Sequence, residues 1–207
     1  MLFLVFITIL TALNSCGQNK SGSKQPVNSS TSDPGVVING VKWATRNVDY
    51  PGTFAARPED SGMFYQWNRK KAWPATGDEV IGWDSSILTG DTWEKTNDPS
   101  PAGWRVPTLD EIEKLLDTDK VSNEWTTQNG VNGRKFTDKT TGNSLFLPAE
   151  GYRSNDDGTL YGIGTSGGYW GSAQSDSGGA YVLDFDSDDA DWLSYYRFGR
   201  SIRAVAE

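Results

Sequence analysis

Short apolar runs, several of them alternating with polar residues, are spread over residues 36–207 and separated by Gly, Pro, Asn and Asp. Few of these runs have the length and spacing of an amphipathic helix, so the pattern favours short strands joined by loops. The first two strands are expected at 36–38 and 41–44, because Asn39-Gly40 between them is typical of a type I′ hairpin turn. Further strands are expected at 144–147, 168–172, 180–186, 192–198 and 201–205. The pattern predicts an α+β fold built on an antiparallel sheet.

The clearest helix signal follows Pro107. Thr108 and Glu111 have the spacing of a capping box, and apolar residues recur at spacings of three and four at Leu109, Ile112, Leu115 and Leu116. The sequence therefore predicts a helix that begins at Thr108, packs its apolar face on a sheet and ends near 117–119. Residues 63–71 fit either a second, shorter helix or a strand that turns into one.

Alternation is clearest at 181–186. It places Val182, Asp184 and Asp186 on one face of a strand and Tyr181, Leu183 and Phe185 on the other. We expect one of these faces to lie in the core and the other in solvent. The pattern does not assign faces to the aromatic residues of 192–198.

The first thirteen residues carry no charge and are almost wholly apolar. This run is too short to span a bilayer but has the length of a signal-peptide core. It leads into Leu13-Asn14-Ser15-Cys16, which resembles the bacterial lipoprotein signal, where the Cys is lipidated and becomes the new N-terminus. We therefore expect residues 1–15 to be a lipoprotein signal peptide and Cys16 to be the lipidation site; the alternative is a degenerate leader with an unmodified Cys.

Residues 17–35, which follow Cys16, contain a single apolar side chain other than Pro, that of Val27. It has too little apolar surface to fold, so residues 16–35 are expected to be a flexible tether for a single domain of residues 36–207. Such an anchor places the domain at the bacterial outer membrane, on either its periplasmic or its outer side.

Composition removes several function classes. The 207 residues include no His and one Cys, which excludes a histidine-based triad, a His-ligated metal and a disulfide framework within one copy. The formal net charge of -8 argues against nucleic acid as a partner, because phosphates require clustered Lys and Arg.

Seven motifs, in a fixed order along the chain, carry a resemblance to a known family. They are GVKWATRN at 40–47, GMFYQW at 62–67, SPAGWRVPT at 100–108, LPAEGYR at 147–153, GYWGS at 168–172, AYVLDF at 180–185 and SIRAV at 201–205. Together they resemble the Fibrobacter succinogenes major paralogous domain over residues 37–206. The resemblance implies a C-type-lectin-like fold and a secreted or lipoprotein-type protein of Bacteroidota or Fibrobacter.

The same motifs contain candidate scaffold residues. Four Trp residues are expected in the core, namely Trp43, Trp67, Trp104 and Trp170. Arg105 and Arg203 are expected to bond to backbone carbonyls or carboxylates. Enzymes that share the implied fold hold copper through two Cys or iron through His, so this chain is expected not to be an enzyme. An enzyme that used carboxylates alone would need two facing Asp or Glu residues, and the sequence singles out no pair.

The acidic run at Asp184, Asp186, Asp188, Asp189 and Asp191 is the strongest candidate for a metal site. An EF-hand counted from Asp184 would need Gly at 189 and Glu at 195, where this chain has Asp and Tyr. The EF-hand interpretation therefore fails. We expect no cofactor and a solvated acidic loop, with calcium held by another loop geometry as the alternative.

The sequence favours a binding module in the cell envelope. Residues 171–200 are rich in Ser, Asp, Gly, Tyr, Trp and Phe, a composition typical of binding surfaces. The candidate ligand-binding residues are Asp188, Asp189, Asp191, Trp192, Tyr195 and Tyr196, on a domain expected to be monomeric and to recognise a protein or a glycan. The ending GYWGS through SIRAV also resembles the variable region of retroelement-diversified proteins. The alternative is a structural or assembly component of a surface complex, without a small ligand, that offers a partner an apolar patch or an open sheet edge.

Overall fold

The structure, a computed structural model, describes residues 30–86, 90–175, 178–195 and 198–207. The predicted signal peptide, the lipidation site Cys16, the first part of the tether and the candidate Tyr196 lie outside the described residues. No helix in the described ranges has the length and hydropathy needed to cross a membrane.

The end of the predicted tether contacts the domain. The Asp33 carboxylate accepts hydrogen bonds from the Thr45 amide at 2.8 Å and from Arg46 Nε at 2.9 Å. Ser30 forms a β-bridge with Phe54. Contacts of the folded domain therefore begin upstream of Val36, the predicted boundary.

Fifteen short strands and one helix make up the regular structure of these ranges. In chain order the strands are β1 Val36–Ile38, β2 Val41–Trp43, β3 Met63–Gln66, β4 Ala72–Pro74, β5 Trp104–Arg105, β6 Val121–Gln128, β7 Val131–Asp138, β8 Ser144–Pro148, β9 Tyr152–Arg153, β10 Leu160–Tyr161, β11 Ser166–Gln174, β12 Ala180–Asp186, β13 Ala190–Tyr195, β14 Gly199–Arg200 and β15 Val205–Ala206. The helix, α1, spans Leu109–Leu116.

The strands form four sheets with the orders β1-β2-β15-β5, β10-β9-β14-β3-β4, β11-β12-β13 and β6-β7-β8. The strand pairs within these sheets are antiparallel. Antiparallel sheets with one short helix confirm the predicted α+β class.

The predicted first hairpin is confirmed. Asn39 and Gly40 both have positive φ, 44° and 79°, as a type I′ turn requires, and the register pairs Val36 with Trp43. Asn129-Gly130 makes the same turn between β6 and β7, with φ of 48° and 84°. This second hairpin was not predicted, because the strand VSNEWTTQ is mostly polar.

The helix begins as its capping box predicts. Thr108 is the N-cap, its side chain accepts from the Glu111 amide, and the Glu111 carboxylate accepts from the Thr108 amide at 2.8 Å. Ile112 and Leu115 are buried, whereas Leu109 and Leu116 are half-buried. The helix packs against β11 and β13 and so supports one face of the third sheet.

The third sheet separates two apolar clusters. Leu183 and Phe185 of β12 belong to the cluster that includes Ile112 and Leu115 of α1. Val182, on the opposite face of β12, is fully buried in the other cluster together with Trp170. The expectation that one whole face of 181–186 is solvated is therefore wrong; that face is buried at Val182 and reaches solvent only toward Asp186.

Residues 63–66 form strand β3 rather than a helix. All four side chains are buried, and β3 lies between β14 and β4. A strand buried on both faces shows no alternation, so its apolar run can be mistaken for a helix segment. At the end of the chain, the predicted strand at 201–205 is reduced to a bridge at Ser201 and the pair Val205–Ala206.

The expected core tryptophans are largely confirmed. Trp43, Trp67 and Trp170 are fully buried, and Trp104 is half-buried. The Trp170 indole donates to the Tyr65 carbonyl at 2.7 Å and the Trp67 indole to the Gly171 carbonyl at 3.0 Å.

Candidate functional site

The hairpin of β12 and β13 carries the described residues that the sequence singled out. Asp188 and Asp189 lie in its turn, and Asp191, Trp192 and Tyr195 lie on β13. All but Tyr195, which is half-buried, are classed as exposed. The structure therefore spreads these candidates along the edge of the third sheet, from the turn after Asp186 to Tyr195, which pairs with Ala180 at the far end of the hairpin.

Strand β13 divides the candidates between two faces. Its register places Asp191 beside Asp184 and Trp192 beside Leu183. Because directly paired residues share a face and successive residues alternate, Asp191 and Tyr195 lie on one face and Trp192 lies on the other. Trp192 packs edge-to-face on Tyr181, with ring centroids 5.3 Å apart, and does not join the other candidates.

A shallow cavity of about 250 Å³ lies on the face that holds Asp191. We call it the acidic groove; its lining residues are Asp184, Phe185, Asp186, Asp189, Asp191 and Leu193. Four of the six are carboxylates, and Leu193, which is 41% exposed, supplies an apolar surface beside them. The predicted acidic loop is thus one wall of a concave surface.

The carboxylates of the hairpin also hold the turn. Asp186 Oδ1 accepts from the amides of Asp188 at 2.8 Å and Asp189 at 3.1 Å. These hydrogen bonds keep the pKa of Asp186 below its usual value, so its carboxyl group is ionised at neutral pH. Within the described residues, no three Asp, Glu, Cys or His side chains are grouped in a way that would hold a metal ion.

Next to the groove, a buried arginine is surrounded by aromatic rings. Arg200 on β14 is 3% exposed, and its Nη1 donates to Asp184 Oδ2 at 2.9 Å. Its guanidinium carbon lies 4.3 Å from the centroid of Tyr195, 5.3 Å from that of Tyr152 and 5.5 Å from that of Phe198. We call these three rings the aromatic cage. Cation–π attraction and the ion pair together fix Arg200 against Asp184, which lines the groove.

Close packing around Arg200 depends on a glycine. A Cβ added to Gly168 on β11 would lie 1.6 Å from Arg200 Nη1. Burial lowers the pKa of Arg200, and the Asp184 carboxylate opposes that shift. Burial also raises the pKa of Asp184, against the attraction of Arg200. Each charge therefore depends on the other for its ionised state.

The aromatic surface extends beyond the cage. Tyr161 is 50% exposed, and its ring lies 5.9 Å from that of Tyr152. We call the acidic groove, the aromatic cage and Tyr161 together the acidic–aromatic face. Arg200, Tyr152 and Tyr161 were not among the sequence candidates. They reach this face because β14 pairs with β9 and β9 with β10, contacts that sequence spacing does not reveal.

Comparison of the chain with protein-family models, with curated proteins and with solved structures finds no match. The case for function therefore depends on the geometry of the chain's own residues.

A second polar cluster consists of buried side chains. Asn47 Nδ2 donates to Glu150 Oε2 at 2.7 Å, and Asn47 Oδ1 accepts from Arg203 Nε at 2.8 Å. Burial raises the pKa of Glu150 to about 8, although Arg203 and the hydrogen-bond donors around it oppose the shift. Arg203 also donates to the Ala44 carbonyl, as expected for a scaffold arginine. Arg105 is likewise held by both oxygens of Glu111, at 2.7 and 2.8 Å.

Glu150 also lines a cleft of about 320 Å³ together with Glu59. Burial acts to raise the pKa of Glu59, but hydrogen bonds from Asn129 and Gln128 and the charge of Arg57 outweigh it, and the pKa is lowered. This is a carboxylate pair that the sequence could not single out. Since Asn129 and Gln128 hold Glu59 and Asn47 holds Glu150, we assign both acids to the scaffold.

Proposed function

We propose that this chain is a binding module of the bacterial cell envelope that recognises a protein or glycan ligand through its acidic–aromatic face. The observation that carries the proposal is the acidic groove, where four carboxylates and Leu193 border a ring-lined surface around a fixed arginine. Aromatic anchors beside adaptable polar groups are the usual composition of recognition surfaces. We propose a binding rather than a catalytic role for these residues.

Charge favours one class of ligand over the other. Of the four carboxylates of the groove, Asp184 is paired with Arg200 and Asp186 interacts with the charge of Arg134, so Asp189 and Asp191 supply most of the remaining negative charge. A surface of this sign attracts cations and speeds their association at low salt. We therefore favour a protein segment rich in Lys and Arg as the ligand of this face.

The family and the fold are part of the proposal. We propose that the domain belongs with the Fibrobacter succinogenes major paralogous domain and has a C-type-lectin-like fold; the seven ordered motifs and the α+β architecture support this. We also propose that Cys16 carries a lipid that anchors the domain to the outer membrane, with the segment after it as a spacer.

A defined peptide tests the binding proposal. The protein should bind a synthetic Lys- and Arg-rich peptide, and the Asp189→Asn, Asp191→Asn double variant should bind it about fivefold more weakly, because two charges of the groove are removed. Raising the salt concentration should weaken binding by the wild type more than by the variant. Biolayer interferometry against immobilised peptide measures both effects.

Two variants control for charge and for the choice of face. The Glu113→Gln, Asp119→Asn variant changes the net charge equally at exposed positions on α1 and just after it, and Trp192→Ala alters the opposite face of β13. Both should bind like the wild type. If the Glu113→Gln, Asp119→Asn variant bound the peptide as weakly as the groove variant, net charge alone would explain the loss of affinity. If the protein bound neutral glycans and not the peptide, a glycan would be the favoured ligand.

An assembly role is the second candidate, and one observation favours it. Strand β13 lies at the edge of its sheet, and Trp192 and Leu193 on it are 38% and 41% exposed. A partner strand could pair with such an edge. Asp191, a charged residue on the same edge, works against that pairing, so we place this role second.

We also propose that retroelement-directed diversification concentrates in this hairpin. The exposed side chains of 186–189 and 191–193 are positions where substitution would change the surface without disturbing the core. Deep sequencing of the gene across cells of one strain should find nonsynonymous changes concentrated in codons 170–200. If nonsynonymous changes were instead spread evenly along the gene, the diversification proposal would be rejected and the binding surface would be a fixed one.

A further inference from the structure

A second concave surface lies away from the acidic–aromatic face. It is a cleft of about 390 Å³ between the loop after Trp93, the start of β5 and the side chain of Glu207. Its lining residues include Trp93, Asp98, Ser100, Trp104 and Arg105. The cleft and the acidic groove have no lining residue in common. The volume of the cleft falls within the range of small-molecule sites.

Two of the residues that line this cleft carry buried polar atoms that lack a hydrogen-bond partner among the described residues. These atoms are the indole nitrogen of Trp93, a side chain that is 7% exposed, and the hydroxyl oxygen of Ser100. Buried polar groups without partners are rare in folded proteins, and each one calls for an explanation. The other polar contacts of these residues are in place, since the Trp93 amide donates to the Ser172 carbonyl at 2.7 Å and the Ser100 amide to Asp98 Oδ1 at 2.8 Å.

The charged groups around the cleft are, by contrast, already paired. Arg105 is bound to both oxygens of Glu111, and Lys95 Nζ lies 3.0 Å from Glu207 Oε1. Asp98 Oδ2 accepts from the Val106 amide at 3.0 Å. A charged ligand would therefore have to displace an existing ion pair, whereas a neutral one would not.

The apolar part of the wall includes the Trp104 ring and three aliphatic side chains. Trp104 is half-buried and held edge-to-face against Phe54, with ring centroids 5.5 Å apart, and Pro101, Ala102 and Val106 lie beside it. Lys42 Nζ lies 5.8 Å from the centroid of the Trp104 ring. An indole that lines the same cleft as residues with an unpaired N–H donor and an unpaired hydroxyl suits a ligand with one apolar face and several hydroxyl oxygens.

We propose that this cleft binds a neutral saccharide unit, with a sugar oxygen accepting from the Trp93 indole N–H, a second oxygen bonded to the Ser100 hydroxyl and the sugar ring against Trp104. The proposal does not depend on the function assigned to the acidic–aromatic face, because the two surfaces share no residue.

Methyl glycosides of glucose, galactose and mannose, and N-acetylglucosamine, are the probes. In ¹H–¹⁵N spectra of the ¹⁵N-labelled protein, the Trp93 indole resonance should shift on titration to about 50 mM sugar, as for a weak, millimolar site. Trp93→Phe keeps a ring but removes the donor, and so assigns that resonance. Ser100→Ala should weaken the binding of the preferred sugar about fivefold, which corresponds to one lost hydrogen bond.

Two further outcomes decide the matter. Trp192→Phe, which alters an exposed indole on β13, should leave the titration unchanged. If the Trp93 resonance moves with none of the four sugars, or if Ser100→Ala binds as tightly as the wild type, the saccharide site is rejected. The Ser100→Ala result is sufficient if Trp93→Phe fails to fold, and a failure here leaves the peptide experiment on the acidic groove unaffected.

Discussion

Replacing Glu150 with Gln should remove most of the fall in the stability of this domain between about pH 5 and 8 and should stabilise it relative to the wild type at the upper end of that range. In the folded state the pKa of Glu150 is about 8, above its ordinary value of 4.5. Between those two values the folded protein holds a proton that the unfolded chain has released. Stability therefore falls as pH rises, by at most about 1.4 kcal/mol per pH unit.

Over the interval from pH 5 to pH 8 the loss in the wild type should reach about 3 kcal/mol. In the Glu150→Gln variant the new amide oxygen still accepts from Asn47, but the side chain has no proton to lose, so the variant lacks this slope. The neighbours Arg203 and Tyr169 do not change charge in the interval, because the guanidinium stays protonated and burial raises the pKa of the Tyr169 phenol further above its ordinary value. Urea unfolding at several pH values, followed by fluorescence, measures the slope.

Glu79→Gln is the matched control, because Glu79 is exposed and its replacement should leave the wild-type slope unchanged. A Glu150→Gln variant with an unchanged slope would mean that Glu150 is already ionised in the folded protein. In that case the attraction of Arg203 would outweigh burial, and the cluster would be an ion pair.

Local signals in the sequence were enough for several elements. Asn39-Gly40 fixes the φ values of a hairpin turn within two residues, and Thr108 with Glu111 satisfies the free amides at the start of α1, so both were predicted. The second Asn-Gly turn, at Asn129, is flanked by strands with little apolar alternation, so the sequence gives no clear signal for that hairpin. Strand β3 was ambiguous, since burial on both faces removes the alternation that identifies a strand.

The candidate site was predicted only in part. Asp189, Asp191 and Tyr195 were identified from composition and lie on the acidic–aromatic face. Trp192 lies on the opposite face of β13, because side chains alternate along a strand. Which face it takes depends on the register of β13 with β12, and the sequence alone does not give that register. The aromatic cage could not be predicted, because Tyr152 and Arg200 are 48 positions apart and meet only through the pairing of β9 with β14.

Replacing Arg200 with Met should cost about 3 kcal/mol of folding free energy, the low end of the loss expected when one partner of a buried ion pair is removed. Arg200 is almost fully buried, and its loss leaves Asp184 without its cation and Tyr152, Tyr195 and Phe198 without the group that they surround. The loss should lie at the low end of that range because the Asp184 side chain is 25% exposed, so water can hydrate part of its unpaired charge.

Arg57→Met is the matched control, since it breaks another Arg–Asp contact, with Asp60 at 2.7 Å, in which the arginine side chain is 66% exposed. Exposed pairs contribute little, so this variant should lose much less stability than Arg200→Met. Adding Asp184→Asn to Arg200→Met should restore part of the lost stability, because the uncompensated carboxylate is then removed. Urea unfolding of the wild type, both single Arg200 and Asp184 variants and the double variant gives the coupling energy directly. If Arg200→Met lost no more stability than Arg57→Met, the aromatic cage would contribute nothing to holding the acidic–aromatic face, and the rings would be free to rearrange around a ligand.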